Sequence, residues 1–170
     1  VLLIAGGDVV TMNPSRDVLV GGCVAVEGER IASVGRTGEL RSRYPTAEVL
    51  DASGCVVTPG LVNAHQHHTG DPLCRSCIPD RITSHDAVFG WAVPLHMAHT
   101  PDDEELSAVL TAVECVRSGI TTVVEAGTVA TPERVAAGMA RVGIRGTIGV
   151  WGWDVGDGPL AGPAGEVLDR

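Results

Sequence analysis

The chain has 170 residues, with twelve basic residues that are all arginine and twenty-one acidic ones, a net charge of −9 at neutral pH. An acidic chain with no basic run is a poor ligand for phosphate backbones or anionic lipid, which excludes nucleic acid and membrane surfaces as partners. Hydrophobic residues at 44 % and a mean hydropathy of +0.20 exclude a disordered or collagen-like chain and imply apolar surface that a partner or further chain covers.

Val1 stands where an initiator methionine is expected, which reads as processing or trimming. The apolar run of residues 1–5 is too short for a signal-peptide core and has no basic leader. Strands are predicted over residues 8–12, 22–26, 30–34 and 48–50, with Glu27-Gly28-Glu29 as a hairpin turn. This first part, residues 1–57, reads as all-β and too small to close a sandwich by itself. Residues 52–70 carry no Lys, Arg, Asp or Glu, but their Gly, Pro, Asn, Gln and His content rules out a bilayer span. The run from Cys55 through Pro59 and Gly60 to Ala64 predicts a strand buried on both faces, as in a parallel sheet. Residues 70–99 read as a long loop, of the length that serves as a lid or binds substrate, with His96 and His99 solvated.

Thr100 then caps a helix that carries Pro101 and two acids in its first turn. Leu106, Val109, Leu110, Val113 and Val116 keep helical spacing, and Gly119 ends the helix. A buried strand follows over residues 120–125. A second helix runs from Thr131 through Val135, Met139 and Val142 to Gly143, and a third strand covers residues 144–151. A glycine-rich loop follows Asp154, and residues 166–170 look like the beginning of another helix. The order β-α-β-α-β predicts a parallel sheet with right-handed crossovers, an α/β fold.

Reactive side chains in such folds sit at the carboxyl tips of strands. The first parallel strand ends in Asn63-Ala64-His65-Gln66-His67-His68. Alternation directs His65 and His67 to one point, which suits two imidazole ligands on Zn²⁺ or Fe²⁺. Two histidines alone make a weak site, and the nearest acid, Asp71, lies in the loop. His68 faces either the opposite side or the wall of the pocket. Glu125 ends the second strand, as an acceptor for a substrate amine, as a residue that orients a ligand, or as a capping carboxylate. Trp151, Trp153 and Asp154 end the third, where an indole stacks on a planar heterocycle or packs in the core. Cys74-x-x-Cys77 fails the spacing of every zinc template it could serve. The five scattered cysteines argue against a disulfide framework and for a cytoplasmic setting.

Residues 51–67, DASGCVVTPGLVNAHQH, resemble the strand-one signature of the metal-dependent amidohydrolase superfamily. Arg117-Ser118-Gly119-Ile120-Thr121-Thr122-Val123 is similar to that family's junction into strand two. Trp91-Ala92-Val93-Pro94-Leu95 resembles its branch of chlorohydrolases and aminated-heterocycle deaminases. The resemblance implies a (β/α)₈ TIM barrel beside a composite β-sandwich, of which residues 58–170 form the first three βα units. It implies hydrolysis of a non-peptide C–N bond in a small-molecule substrate by a metal-bound hydroxide, with Zn²⁺ preferred over Fe²⁺ and with His65 and His67 as two of the ligands. A carboxylated lysine is excluded in a lysine-free chain. No catalytic residue is expected in this chain, and it is expected to be inactive alone. Strands four to eight and the remaining ligands would come from a second polypeptide or a missing C-terminal region. The alternative from another class is a non-catalytic scaffold or regulatory subunit that retains the H-x-H motif as a relic. A third reading is a small C-x-x-C redox module.

Overall fold

A computed structural model describes residues 1–154 and 161–169. The chain divides into two units, Val1–Pro59 and Gly60–Arg170. Among the described residues no helix is long and apolar enough to cross a membrane.

The first unit is a five-stranded sheet built around β1 (Leu2–Val10). β2 (Val18–Glu27) pairs antiparallel with β1, and β3 (Arg30–Arg36) pairs antiparallel with β2 across a two-residue turn at Gly28. β4 (Glu48–Asp51) and β5 (Val56–Val57) lie parallel to β1, on its other edge. The first strand therefore starts earlier than expected and stops at Val10. Residues 2–5 are drawn in because they pair with β2 on one side and β4 on the other, a long-range match that a short apolar run does not reveal. A short helix, α1 (Thr37–Arg43), was not anticipated; its Leu40 joins Leu3, Ala5, Cys23 and Ala25 in the core of this unit. On the opposite face, register aligns Leu50, Ile4, Val24 and Val34 in one row and Leu2, Val26 and Ile31 in the next. Leu50, Val34 and Ile31, at the ends of these rows, are exposed, Ile31 by 64 %.

The second unit is a parallel sheet of order β6-β7-β8, formed by Leu61–Gln66, Ile120–Glu125 and Arg145–Thr147. Helix α4 (Pro101–Arg117) connects the first two strands and α5 (Pro132–Val142) the second and third. Thr100 and Asp103 form a reciprocal capping box at the start of α4. Gly143, at φ 84°, closes α5 in the left-handed conformation that glycine adopts without strain. β8 is shorter than the predicted third strand and is continued by an isolated bridge between Val129 and Val150. The expected glycine-rich loop, residues 155–160, lies outside the described residues, and the last helix is α6 (Ala164–Leu168).

Three expectations are corrected. The apolar run 55–64 is not one strand, because Thr58-Pro59-Gly60 separates β5 from β6 and proline removes a ladder donor. Nor is β6 buried on both faces. It has only β7 beside it among the described residues, and Val62 is 65 % exposed. The loop 70–99 is largely helical: α2 (Asp71–Cys74), a π-helical segment (Asp86–Ala92) and α3 (Val93–Ala98) fold within it.

Tertiary packing decides which face of α4 is inside. Leu106, Leu110, Val113 and Val116 are exposed, whereas Glu104, Ser107, Ala108, Thr111, Ala112 and Cys115 are buried. Close helix packing decides this. A β-carbon on Gly138 of α5 would lie 2.7 Å from the Glu105 carbonyl oxygen and 2.9 Å from the Ala108 β-carbon. Only small side chains fit at that separation, so the bulky apolar stripe is turned outward. Arg134 and Arg141 add ion pairs to Glu105, at 2.9 and 3.1 Å. Inside a helix, glycine to alanine ordinarily stabilises by about 1 kcal/mol. Here Gly138→Ala is expected to cost about 1–3 kcal/mol by overpacking, measured as the change in urea unfolding free energy.

Candidate metal centre at the carboxyl end of the parallel sheet

Parallel pairing of Gln66 with Glu125 brings the ends of β6 and β7 together, and the Ala126 amide donates to the Gln66 carbonyl at 2.9 Å. The end of β6 is braced by its own side chains. Asn63 Oδ1 accepts from the His65 amide at 3.1 Å, and Asn63 Nδ2 donates to Gln66 Oε1 at 2.9 Å. His65 lies in β6 and His67 just beyond it. Their rings meet nearly edge to face, with centroids 5.0 Å apart at 86°. The two Nε2 atoms converge to 3.3 Å.

That separation suits a metal. Two Zn–N bonds of about 2.0–2.1 Å at the tetrahedral angle hold their nitrogens about 3.3–3.4 Å apart. The donors are borderline-soft imidazoles, the ligand type zinc favours. Among the described residues no third His, Cys, Asp or Glu completes a metal-holding group with them. The pair therefore fits two corners of a zinc tetrahedron and leaves the others to be filled.

His68 is fully buried, and neither ring nitrogen has a hydrogen-bond partner within the described chain. Burial holds its pKa below the ordinary value, opposed by the nearby Glu125 carboxylate. Glu125 is itself buried and is committed to the turn that follows it. It accepts from the Gly127 amide at 2.6 Å, from the Thr128 amide at 3.1 Å and from Thr128 Oγ1 at 2.5 Å. Trp151 and Trp153 stand edge to face with centroids 5.1 Å apart, and the Trp151 indole nitrogen is buried with no hydrogen-bond partner among the described residues. Asp154 is exposed beside them. Cys74 is buried and Cys77 exposed, and Cys74 Sγ lies 3.8 Å from His99 Nε2.

Several residues at this end were not singled out from sequence. Thr128 approaches His67 Nδ1 at 3.2 Å, and Thr69 Oγ1 donates to the Thr128 carbonyl at 2.8 Å. Glu104, buried in the first turn of α4, accepts from the Ala130 and Thr131 amides at 3.0 and 2.7 Å and from the Thr131 hydroxyl. Glycine and a hydroxyl residue soon after Glu125 are the one local signal that its carboxylate would be taken by a turn. Nothing local marks Glu104, whose partners lie 26 and 27 residues away.

His96 is a correction. It was expected to be solvated, but α3 folds it back against Trp151, with ring centroids 5.5 Å apart, and toward Thr69. Gly70 makes room for it, since a β-carbon there would lie 2.3 Å from the ring. The His99 Nδ1 atom is likewise buried.

Comparison with known proteins bears on this arrangement. A family profile describing bacterial imidazolonepropionase-like composite domains matches residues 22–47. A 5-methylthioadenosine/S-adenosylhomocysteine deaminase of Acetivibrio thermocellus is 31 % identical over 147 residues, covering 86 % of this chain and 33 % of that protein. These matches support the amidohydrolase superfamily. The chain matches the N-terminal portion of the superfamily's proteins. A deaminase of the same description from Pelotomaculum thermopropionicum is 32 % identical over 158 residues, covering 88 % of this chain and 35 % of that protein. The chain thus spans about a third of the length of the curated relatives it matches. Among solved structures, atrazine chlorohydrolase TrzN from Arthrobacter aurescens TC1, complexed with zinc, superposes with a TM-score of 0.79 at 22 % identity. That match covers 99 % of this chain and 41 % of the chlorohydrolase. Molinate hydrolase superposes with a TM-score of 0.61 at 22 % identity, over 89 % of this chain and 29 % of that one. At these identities the likeness is one of fold.

Burial first, then the neighbouring His99 and His67 rings, push the His96 pKa from 6.5 to about 4, against the pull of Glu104 and Glu125. The unfolded chain takes up this proton near 6.5 and the folded chain only near 4. Between those values the unfolded state binds more protons, so stability falls as the pH falls. The urea midpoint is expected to drop between about pH 6.5 and about pH 4, and His96→Gln to flatten that slope.

Proposed function

We propose that this chain supplies His65 and His67 as two ligands of a divalent-metal hydrolase acting on non-peptide C–N bonds, with hydrolytic deamination of an aminated heterocycle as the reaction class. The observation that carries the reading is the convergence of the two Nε2 atoms at 3.3 Å, at the carboxyl end of a parallel strand. Relatives above 30 % identity described as deaminases support the reaction class, and a structural neighbour complexed with zinc supports zinc as the metal.

In this reading β6, β7 and β8 are the first three strands of a closed barrel. Further strands and ligands come from a second polypeptide or from further sequence of the same protein. The faces the chain exposes suit such a completion: Val62 and Val124 on the sheet, and the outward stripe of α4. A bound divalent metal supplies Lewis acidity and a water whose pKa is lowered toward neutrality. The chain's own part is to present two imidazoles toward one point and a pair of indoles just after β8. Trp151 and Trp153 offer indole faces and edges to a planar heterocycle, and the exposed Asp154 carboxylate offers an acceptor for a ring amine.

Zinc uptake by the chain, followed by competition with a chromophoric chelator, tests the reading. One equivalent is expected to bind weakly through two protein donors and to be lost in both His65→Ala and His67→Ala. Binding equal to wild type in both variants would remove the pair from any metal site. Release of ammonia from an aminated heterocycle is expected only when the remaining strands are supplied.

A further inference from the structure

The contacts behind His67 form a proton-defined chain. Glu125 is an acceptor, and Thr128 Oγ1, 2.5 Å from Glu125 Oε1, has one hydrogen to give. The carboxylate is buried and already takes the Gly127 and Thr128 amides, so it is held in place as the end of the chain. With its hydrogen directed to Glu125, Thr128 Oγ1 meets His67 Nδ1, 3.2 Å away, with a lone pair. Thr69 does not compete for this role. Its hydroxyl lies 3.3 Å from Thr128 Oγ1, but its hydrogen goes to the Thr128 carbonyl at 2.8 Å. Nδ1 of His67 must then carry the ring hydrogen. The lone pair is left on Nε2, the atom 3.3 Å from His65 Nε2.

We propose that Thr128 and Glu125 are positioning residues that lock His67 in the Nδ1–H tautomer and aim its Nε2 lone pair at the metal. The proposal rests on His65 and His67 being metal ligands. It gives Glu125 a task away from the substrate and assigns Thr128, which no sequence motif marks, the contact with the ligand. A ligating histidine commonly gives its second ring nitrogen to a carboxylate or carbonyl, and loss of that partner costs about 10–100-fold in metal affinity. Here the hydroxyl of Thr128 stands between the two and transmits the carboxylate's demand for a proton.

The test uses this chain with Thr128→Val, which removes the hydroxyl at nearly constant shape, Thr128→Ser, which keeps it, and Glu125→Gln. Long-range ¹H–¹⁵N correlation of the metal-free chain reads the His67 tautomer directly. The Nδ1–H form is expected in the wild type and in Thr128→Ser, and a mixture of tautomers in Thr128→Val. Zinc affinity, by chelator competition, is expected to fall about 10–100-fold in Thr128→Val and to be restored in Thr128→Ser. Glu125→Gln carries the same expectation if Thr128→Val fails to fold. An Nε2–H tautomer in the wild type overturns the proposal. So does an unchanged tautomer and affinity in Thr128→Val, or a loss in Thr128→Ser equal to that in Thr128→Val, which would mark a packing role. Zinc binding that depends on His65 and His67 but not on Thr128 sinks the relay alone, whereas a wild type that takes up no zinc sinks the metal reading with it.

Discussion

The carboxyl end of the parallel sheet is organised by the buried Glu125 carboxylate, which gathers the amides of Gly127 and Thr128 and the Thr128 hydroxyl. A carboxylate removed from water must be repaid by donors, and a tight turn with several amides pointing one way is the cheapest local source. The turn in turn sets Thr128 against His67 and places the Thr128 carbonyl for Thr69. Glu104 does the same for the next stretch, holding Ala130 and Thr131 at the start of α5. Two buried acids, on β7 and on α4, thus hold the segment between β7 and α5 from both sides.

Close packing is the second constraint. Gly138 lets α5 approach the backbone of α4, and that approach selects alanine, serine and threonine for the inner face. The larger apolar side chains are left on the outside, together with Leu61 and Val62 of β6 and with Leu50, Val34 and Ile31 at the margins of the first unit's sheet. These exposed faces are of the kind that further sheet and helix layers cover in a complete α/β fold. They give a structural reason for the high mean hydropathy of an acidic chain.

Much of the second unit was legible in the sequence. Thr100-Pro101-Asp102-Asp103 announces a helix start, Gly119 and Gly143 announce helix ends, and β-branched runs announce the strands between them. These are local signals, and the elements they mark are present. The convergence of His65 and His67 was legible as well, because a strand's alternation is a local rule. Illegible were the features set by distant partners: the strand made by residues 2–5, the inward turn of the small face of α4, the folding of His96 onto Trp151, and the joining of Thr128 to His67 across 61 residues.

The sequence by itself determined the β-α-β-α-β order of β6, α4, β7, α5 and β8, their parallel sheet and the paired imidazoles at its edge, because capping, periodicity and alternation act over a few residues. Tertiary structure decided which helix face is buried, which histidine is shielded, and which hydroxyl and carboxylate stand behind His67. Those outcomes depend on how closely two elements approach and on where a buried charge finds its donors, and neither distance is written in any short stretch of the chain.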